Sequence, residues 1–336
     1  MIRVVHHERS PAQRGYSLER AFSTVRRHLG PGFDVRVDVV PRPSSGLVAR
    51  LLNMAHVARQ ASDVHHVTGD VHYLTLALPR SRTVLTVADC GGMHRLKGYR
   101  RWIFRLLWLD LPVRASTIVT TISEATRREL SAFSGRPEDR IRVIGCPVPA
   151  GFAPAARRPW PDRPSLLHVG TTPNKNLPRV ARALSGLPCR LVVLGRCDAE
   201  SEAALRSAGV DWVGLQDITD AEMPALYAQS DLVLFASTYE GFGMPIIEAQ
   251  ATGRPVVTSG VTAMPQVAGA GACLVDPFDA ESIRSGVLRV KGDAGYRDAL
   301  VRLGFENVQR FAAEGIAAQY ARLYEEVFDH AGPVRS

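Results

Sequence analysis

The sequence predicts an α/β protein built from two doubly wound, Rossmann-like domains. Three observations carry this expectation. Both halves alternate short apolar runs with stretches of helical period, the pattern of parallel sheets covered by helices. At 336 residues the chain exceeds a single ordinary core. Between Cys146 and Ser165 the composition shifts: Pro147, Pro149, Pro154, Pro159, Pro161 and Pro164 forbid a continuous helix or a central strand. That stretch is the expected interdomain linker.

The chain enters a strand directly at Met1-Ile2-Arg3-Val4-Val5, without a signal-peptide hydrophobic region. Leu18, Ala21, Phe22, Val25 and Leu29 then recur at helical spacing behind Ser17, an N-cap residue type. Val35, Val37 and Val39 alternate with Arg36 and Asp38, a strand with one apolar face. Further strands are expected at 64–67, 83–87, 117–121 and 140–144. Thr121-Ile122-Ser123-Glu124 reads as strand end, N-cap and helix start, so Ser123 is structural. Beyond the linker, strands are expected at 166–169, 190–194, 210–213, 232–235 and 255–258. Helices are expected from Asn176 and near 199–207, 221–229, 245–252, 280–290, 296–305 and 315–328.

The apolar content of 46% is that of a globular protein, and no apolar run is long enough to cross a bilayer. Five cysteines (90, 146, 189, 197 and 273) are scattered and lack metal-ligand spacing, which points to free thiols in a reducing cytoplasm. Charge is uneven. Residues 1–158 carry 25 Lys and Arg against 12 Asp and Glu, a balance of +13, whereas the remainder carries −5. One domain is therefore expected to meet an anionic surface or substrate. No nucleic-acid module is present and the arginines are spread over many elements, so nucleic acid is not expected. A membrane leaflet or a lipid diphosphate acceptor fits better. Arg95, Lys97, Arg100, Arg101 and Arg105 cluster beside Trp102, Phe104 and Trp108, a stretch equally readable as an interfacial helix or as core.

The segment Ser237-Thr238-Tyr239-Glu240-Gly241-Phe242-Gly243-Met244-Pro245-Ile246-Ile247-Glu248-Ala249 follows the apolar run 232–235. It reads as strand, glycine-broken turn and proline-started helix. Gly241 and Gly243 let backbone N–H groups approach an anion, and the helix start favours negative charge. Glu240 and Glu248 are acceptors, suited to sugar or ribose hydroxyls. His168-Val169-Gly170-Thr171-Thr172-Pro173-Asn174-Lys175 supplies the complement: a glycine turn after a strand, then a lysine ahead of a helix, over a diphosphate. Only three lysines occur among 41 basic residues, which makes Lys175 less an accident of composition. Together these segments read as a nucleotide-sugar cradle. His65, His66 and Asp70 invite a zinc reading, but no further Cys or His completes a set, so no metal is expected. The turn at Thr68-Gly69-Asp70 is instead expected to line the cleft between the domains, at a strand's carboxyl end.

The glutamate pair, with Gly253-Arg254-Pro255-Val256-Val257 and Leu274-Val275-Asp276-Pro277, resembles the retaining glycosyltransferases of family 4 in glycosyltransferase group 1. Glu240 and Glu248 keep that family's Glu-x7-Glu spacing. The resemblance implies the GT-B architecture, two Rossmann-like domains facing across a cleft. It assigns residues 1–155 to an acceptor-side domain, joined by a C-terminal helix at about 314–330, and 165–312 to the donor domain. It implies transfer of a hexose from a nucleotide-diphosphate sugar to a glycan or lipid-linked acceptor, in cell-surface polysaccharide or glycolipid synthesis. Catalytic roles fall on Glu240, Lys175 and Asp89. Donor contacts fall on Gly170, Thr171, Lys175, Glu240, Gly241, Phe242, Gly243, Met244 and Glu248. Acceptor-side candidates are Gly15, Thr68, Gly69, Asp70 and His94. No cofactor or metal is expected, since the chain contains no Asp-x-Asp.

Three positions depart from the family pattern. Ala88 stands where Thr-Ile-His-Asp would place a histidine, Thr171 where an arginine is usual, and Gln266 where a glutamate is typical. His94 is the nearby candidate to substitute for the missing imidazole. Ala88 and Thr171 support the rival reading, a non-transferring relative such as a nucleotide-sugar epimerase or an impaired binding partner. A dinucleotide oxidoreductase is not expected, because His6-His7-Glu8-Arg9 replaces a glycine fingerprint after the first strand.

Overall fold

The computed structural model describes residues 1–10, 17–156 and 158–334, and divides the chain into two compact units, 1–147 with 312–336, and 148–311. Gly15 lies outside the described residues.

The first unit runs β1 (Ile2–Glu8), α1 (Ser17–His28), β2 (Phe33–Val39), α2 (Gly46–Val57), β3 (Val64–Val67) and β4 (Thr83–Val87). It continues with α3 (Gly91–Arg95), α4 (Gly98–Phe104), α5 (Leu111–Arg114), β5 (Ile118–Thr121), α6 (Glu124–Ser134) and β6 (Ile141–Val143). The strands form one parallel sheet in the order β2-β1-β3-β4-β5-β6. Ser123 caps α6, its hydroxyl accepting from the Thr126 N–H at 3.1 Å.

The second unit holds β7 (Ser165–Val169), α7 (Leu177–Leu184), β8 (Arg190–Leu194), α8 (Ala199–Ser207), β9 (Asp211–Leu215), α9 (Met223–Gln229) and β10 (Leu232–Phe235). Then come α10 (Met244–Ala251), β11 (Val256–Ser259), α11 (Met264–Ala268), β12 (Cys273–Val275), α12 (Ala280–Gly292) and α13 (Ala294–Val308). Its parallel sheet has the order β12-β11-β10-β7-β8-β9. The proline-rich stretch does not stand free. Phe152 packs edge-on against Tyr227, and the Arg254 guanidinium donates to the Ala156 carbonyl at 3.2 Å.

The last helix, α14 (Ala313–Ala331), belongs to the first unit. Its Ile316, Tyr320, Leu323, Tyr324 and Val327 share a core with Val4, Phe22, Val25, Val64 and Val84. A repeat of three and four residues puts these side chains on one stripe, which is why this helix buries one face.

One strand differs from the reading of its alternation. Val37 and Val39 of β2 are exposed, and Asp38 turns inward to accept from His7 and His56, each at 2.8 Å. As the edge strand, β2 has only β1 beside it, so its valines are not covered on both sides.

Candidate active site

In an open parallel sheet, ligands bind beyond the carboxyl ends of the strands where the order reverses. In the second unit that point lies between β7 and β10, and both halves of the expected cradle leave the sheet there. After β7 the chain turns at Gly170 (φ +92°), then forms a short 3-10 turn over Pro173–Lys175. After β10 it turns through Ser237–Gly243 and enters α10 behind Gly243 (φ +103°). Pro245 is the helix's second residue.

The two loops are tied together. The Lys175 ammonium donates to the Glu240 carboxylate at 2.6 Å, and both side chains are largely buried. Asn174 donates to the Tyr239 carbonyl at 3.0 Å and to Glu240 at 3.3 Å, while its own carbonyl accepts from the Thr238 N–H at 2.8 Å. Lys175 also lies 4.7 Å over the Phe235 ring. Its aliphatic stem folds across Gly170, where a Cβ would sit 2.9 Å from it, so a glycine is required on two counts. The Glu240 N–H donates to the Thr262 hydroxyl at 3.3 Å.

Glu248 lies on α10, all eight residues of which are buried. A carboxylate there needs a donor, and the Tyr227 hydroxyl supplies one. Phe242 is buried edge-on against Phe311, and Met244 is buried beside it in sequence. Thr171 donates its hydroxyl to the Arg196 carbonyl at 2.7 Å and contributes no cation. His168 on β7 is fully buried; burial lowers its pKa to about 4, so it is a neutral imidazole. Its Nε2 and the Ser237 hydroxyl have no hydrogen-bond partner among the described residues.

The remaining candidates lie in the first unit. Its order reverses between β1 and β3, and Thr68-Gly69-Asp70 follows β3 directly. The Thr68 and Gly69 N–H groups donate to the His7 carbonyl at 3.2 and 3.3 Å. A Cβ on Gly69 would come within 2.9 Å of the Arg9 nitrogen, so close backbone approach demands glycine there. Asp70 accepts from the Trp108 indole N–H. Asp89 is exposed and accepts from the Gly91 N–H at 2.7 Å. His94 is exposed on α3, where Glu129 of α6 lies 3.1 Å from it and Phe133 packs against its ring edge.

The histidines weighed as metal ligands have other partners. His65 stacks on His7, and His66 sits between the Tyr324 hydroxyl (2.7 Å) and the Thr86 hydroxyl (2.7 Å). Among the described residues no group of three or more His, Cys, Asp or Glu is placed to hold a metal ion.

Sequence reasoning missed Asn174, Asn176, Tyr227 and Thr262. Asn176 and Thr262 adopt left-handed backbone (φ +66° and +55°), and Asn176 donates to the carbonyls of Ala236 and Pro277. An asparagine between Lys175 and a helix start was the available signal.

In the second unit a lysine and a glutamate thus meet at the switch point of a parallel sheet. Residues 163–293 match the family described as Glycosyl transferases group 1. The chain is 28% identical over 314 residues to the O-antigen chain mannosyltransferase B of Escherichia coli, covering 83% of this chain and 80% of that protein. Its fold is similar to sucrose-phosphate synthase from Thermosynechococcus elongatus (TM-score 0.80, 18% identity, 98% and 100% of the two chains). It is also similar to Anabaena Alr3699/HepE, solved in complex with UDP and glucose (TM-score 0.79, 16% identity, 97% and 100%). The protein is a glycosyltransferase with two six-stranded, parallel, Rossmann-like domains of the GT-B type.

Proposed function

We propose that the protein moves a hexose from a nucleotide-diphosphate sugar to a hydroxyl of a glycan or lipid-linked acceptor, with retention, in cell-surface polysaccharide synthesis. The observation that carries this reading is the Lys175–Glu240 pair at the switch point of the second sheet. A donor diphosphate takes the ammonium, and a sugar hydroxyl donates to the freed carboxylate. As the sugar–phosphate bond breaks, charge on the departing oxygen is stabilised by Lys175 and the backbone amides of residues 241–244. Glu248 would accept from ribose. The mannosyltransferase relative favours mannose as the sugar. Nothing in the comparisons favours the non-transferring alternative. A thermal-shift screen of UDP-, GDP- and ADP-sugars tests the reading, because a bound nucleotide raises apparent stability by mass action. No shift with any of them would count against it.

The same pair makes a divalent ion unnecessary in this proposal, since one ammonium and several amides face the diphosphate. Activity is expected to survive EDTA. Complete loss, restored by magnesium or manganese, would refute metal independence.

We also place the acceptor at an anionic bilayer. The stretch Tyr99–Trp108 divides by side. Phe104 and Trp108 stack at 5.7 Å and face the core, whereas Tyr99 and Trp102 are 71% and 64% exposed. On α2, Leu47, Val48, Leu51 and Leu52 are exposed as well, and Arg50 of that helix lies 4.7 Å over the Trp108 ring. Helices α2 and α4 thus both carry exposed apolar side chains, with Arg50 on the one and Arg100 and Arg101 on the other, the composition that inserts at an anionic interface. Each basic residue there contributes about 1 kcal/mol. Among the described residues no helix is long and apolar enough to cross a membrane, so docking would be peripheral. Co-sedimentation with phosphatidylserine-containing vesicles is expected at low salt, weakened at high salt and by Trp102→Ser with Leu51→Ser. No sedimentation at low salt would leave a soluble acceptor.

A further inference from the structure

Glu248, to which the proposed function gives the donor ribose, stands in the second turn of α10, and that helix begins at the switch point of the second sheet. Side chains on a helix lean toward its amino end, so this carboxylate leans back toward the turn 237–243. A glutamate side chain has several rotatable bonds, and a ligand that must order it loses affinity in doing so. A ribose-binding glutamate works best when something already holds it in place.

Tyr227 is placed to do so. It comes from α9, its side chain is fully buried, and Phe152 meets its ring edge-on at 5.3 Å. A tyrosine ring has fewer torsions than a glutamate, and close packing holds them. The Tyr227 hydroxyl donates to Oε2 of Glu248, and the glutamate itself is 2% exposed. A carboxylate offers two oxygens with about four acceptor sites. One rigid donor on Oε2 therefore fixes the plane of the group without using Oε1.

We infer that Tyr227 is a positioning residue for the donor: it holds the Glu248 carboxylate in the orientation from which Oε1 accepts from the ribose hydroxyls, and so sets a preference for a ribonucleotide over its deoxy form. The inference rests on the donor reading given above. Tyr227 touches no substrate atom in it and acts only through Glu248. A tyrosine that did no more than satisfy a buried carboxylate would support the fold but would not distinguish one sugar from another.

Isothermal titration of the full chain with UDP, GDP and ADP, each beside its 2′,3′-dideoxy form, tests this. The nucleotide that binds is expected to lose at least about tenfold in affinity when both ribose hydroxyls are absent. Tyr227→Phe keeps the ring and its contact with Phe152 and removes only the hydroxyl. It is expected to weaken the ribonucleotide about five- to tenfold and the dideoxy form by less than about twofold. In a Glu248→Ala background the preference is expected to be gone, and adding Tyr227→Phe is expected to change neither affinity by more than about twofold. Thermal unfolding of each variant confirms that it is folded. Equal weakening of both forms by Tyr227→Phe makes the bond a packing contact and overturns the inference. So does an undiminished effect of Tyr227→Phe in the Glu248→Ala background. A nucleotide that binds without preference for the ribose form overturns it while leaving the diphosphate role of Lys175 in place. No binding of any of the three ribonucleotides overturns the donor reading and this inference together.

Discussion

Lys175→Ala is expected to lower kcat by about 10²–10³-fold, the range seen when one preorganised donor to a developing negative charge is removed. The side chain is the cation closest to Glu240 in the cradle, and Thr171, where an arginine is usual in the resembling family, spends its hydroxyl on the Arg196 carbonyl. No second guanidinium is therefore placed by that loop to compensate. Glu240→Ala is expected to depress kcat more than KM, since its hydrogen bond to the donor sugar strengthens as the ring acquires positive character. Each substitution also leaves its former partner half-buried and uncompensated. Glu240→Gln, which keeps the shape and one acceptor, separates lost chemistry from lost packing. Glu248→Ala is expected to act differently, weakening donor affinity by about 1.5–3 kcal/mol through loss of a charge-assisted hydrogen bond. It also orphans the Tyr227 hydroxyl, so Glu248→Gln is the matching control. Steady-state kinetics on the five proteins, with thermal unfolding to confirm folding, decide the matter. Unchanged kinetics in both the Lys175 and Glu240 variants would remove the cradle from the mechanism.

Why these two residues were legible in sequence, and others not, follows from how each signal is encoded. Lys175 and Glu240 are 65 positions apart, but each sits in a local strand–glycine–helix pattern that stands on its own. The strands at 64–67, 83–87, 190–194 and 232–235 were likewise bounded by their own turn residues, and the structure keeps those limits. β12 and α11, three and five residues long, are too short to show a period. The role of His65 and His66 was not local at all. Their partners come from β1, β4 and α14, up to 258 positions away, and a histidine pair reads as a ligand set only until those neighbours are in place. The ambiguity of Arg100–Trp108 had a different origin. Helical periodicity continues through it, but α4 passes into a π-helix at Arg105–Asp110, and this shift of phase turns Trp108 inward while Trp102 stays outside.

Acidification from pH 7.5 to 5 is expected to destabilise the first unit by several kcal/mol, and the same buried histidines are the cause. His6 lies 2.8 Å from the Tyr324 hydroxyl, beside His66, and the Thr86 hydroxyl that meets His66 is itself 2.6 Å from that of Thr120. Burial lowers the pKa of His65 to about 4 and of His66 to about 3, and holds His6 well below its usual value; neighbouring His and Arg charges act in the same direction. In the unfolded chain each titrates near 6.5. Between those values the unfolded state binds more protons, so the stability these imidazoles confer is fully present above pH 6.5. It is lost progressively as pH falls toward the folded values. On the order of 2 kcal/mol is then lost by pH 5 for each of His65 and His66, and His6 acts in the same direction, against a typical total of about 5–15 kcal/mol. Asp38 and Asp63, lowered to about 2 by hydrogen bonds from His7, His56 and Arg3 despite their burial, lose their contribution only below about pH 4. They add nothing to the loss between 7.5 and 5. The second unit holds one such histidine, His168, so its acid sensitivity is expected to be smaller. Urea midpoints at pH 7.5, 6.5 and 5 measure the slope, with tryptophan fluorescence of a Trp160→Phe/Trp212→Phe variant reporting on the first unit and of a Trp102→Phe/Trp108→Phe variant on the second. His66→Gln, which keeps a donor and an acceptor for Thr86 and Tyr324, is expected to flatten it. A midpoint independent of pH over this range would mean that these imidazoles are as protonated in the folded protein as in the unfolded chain.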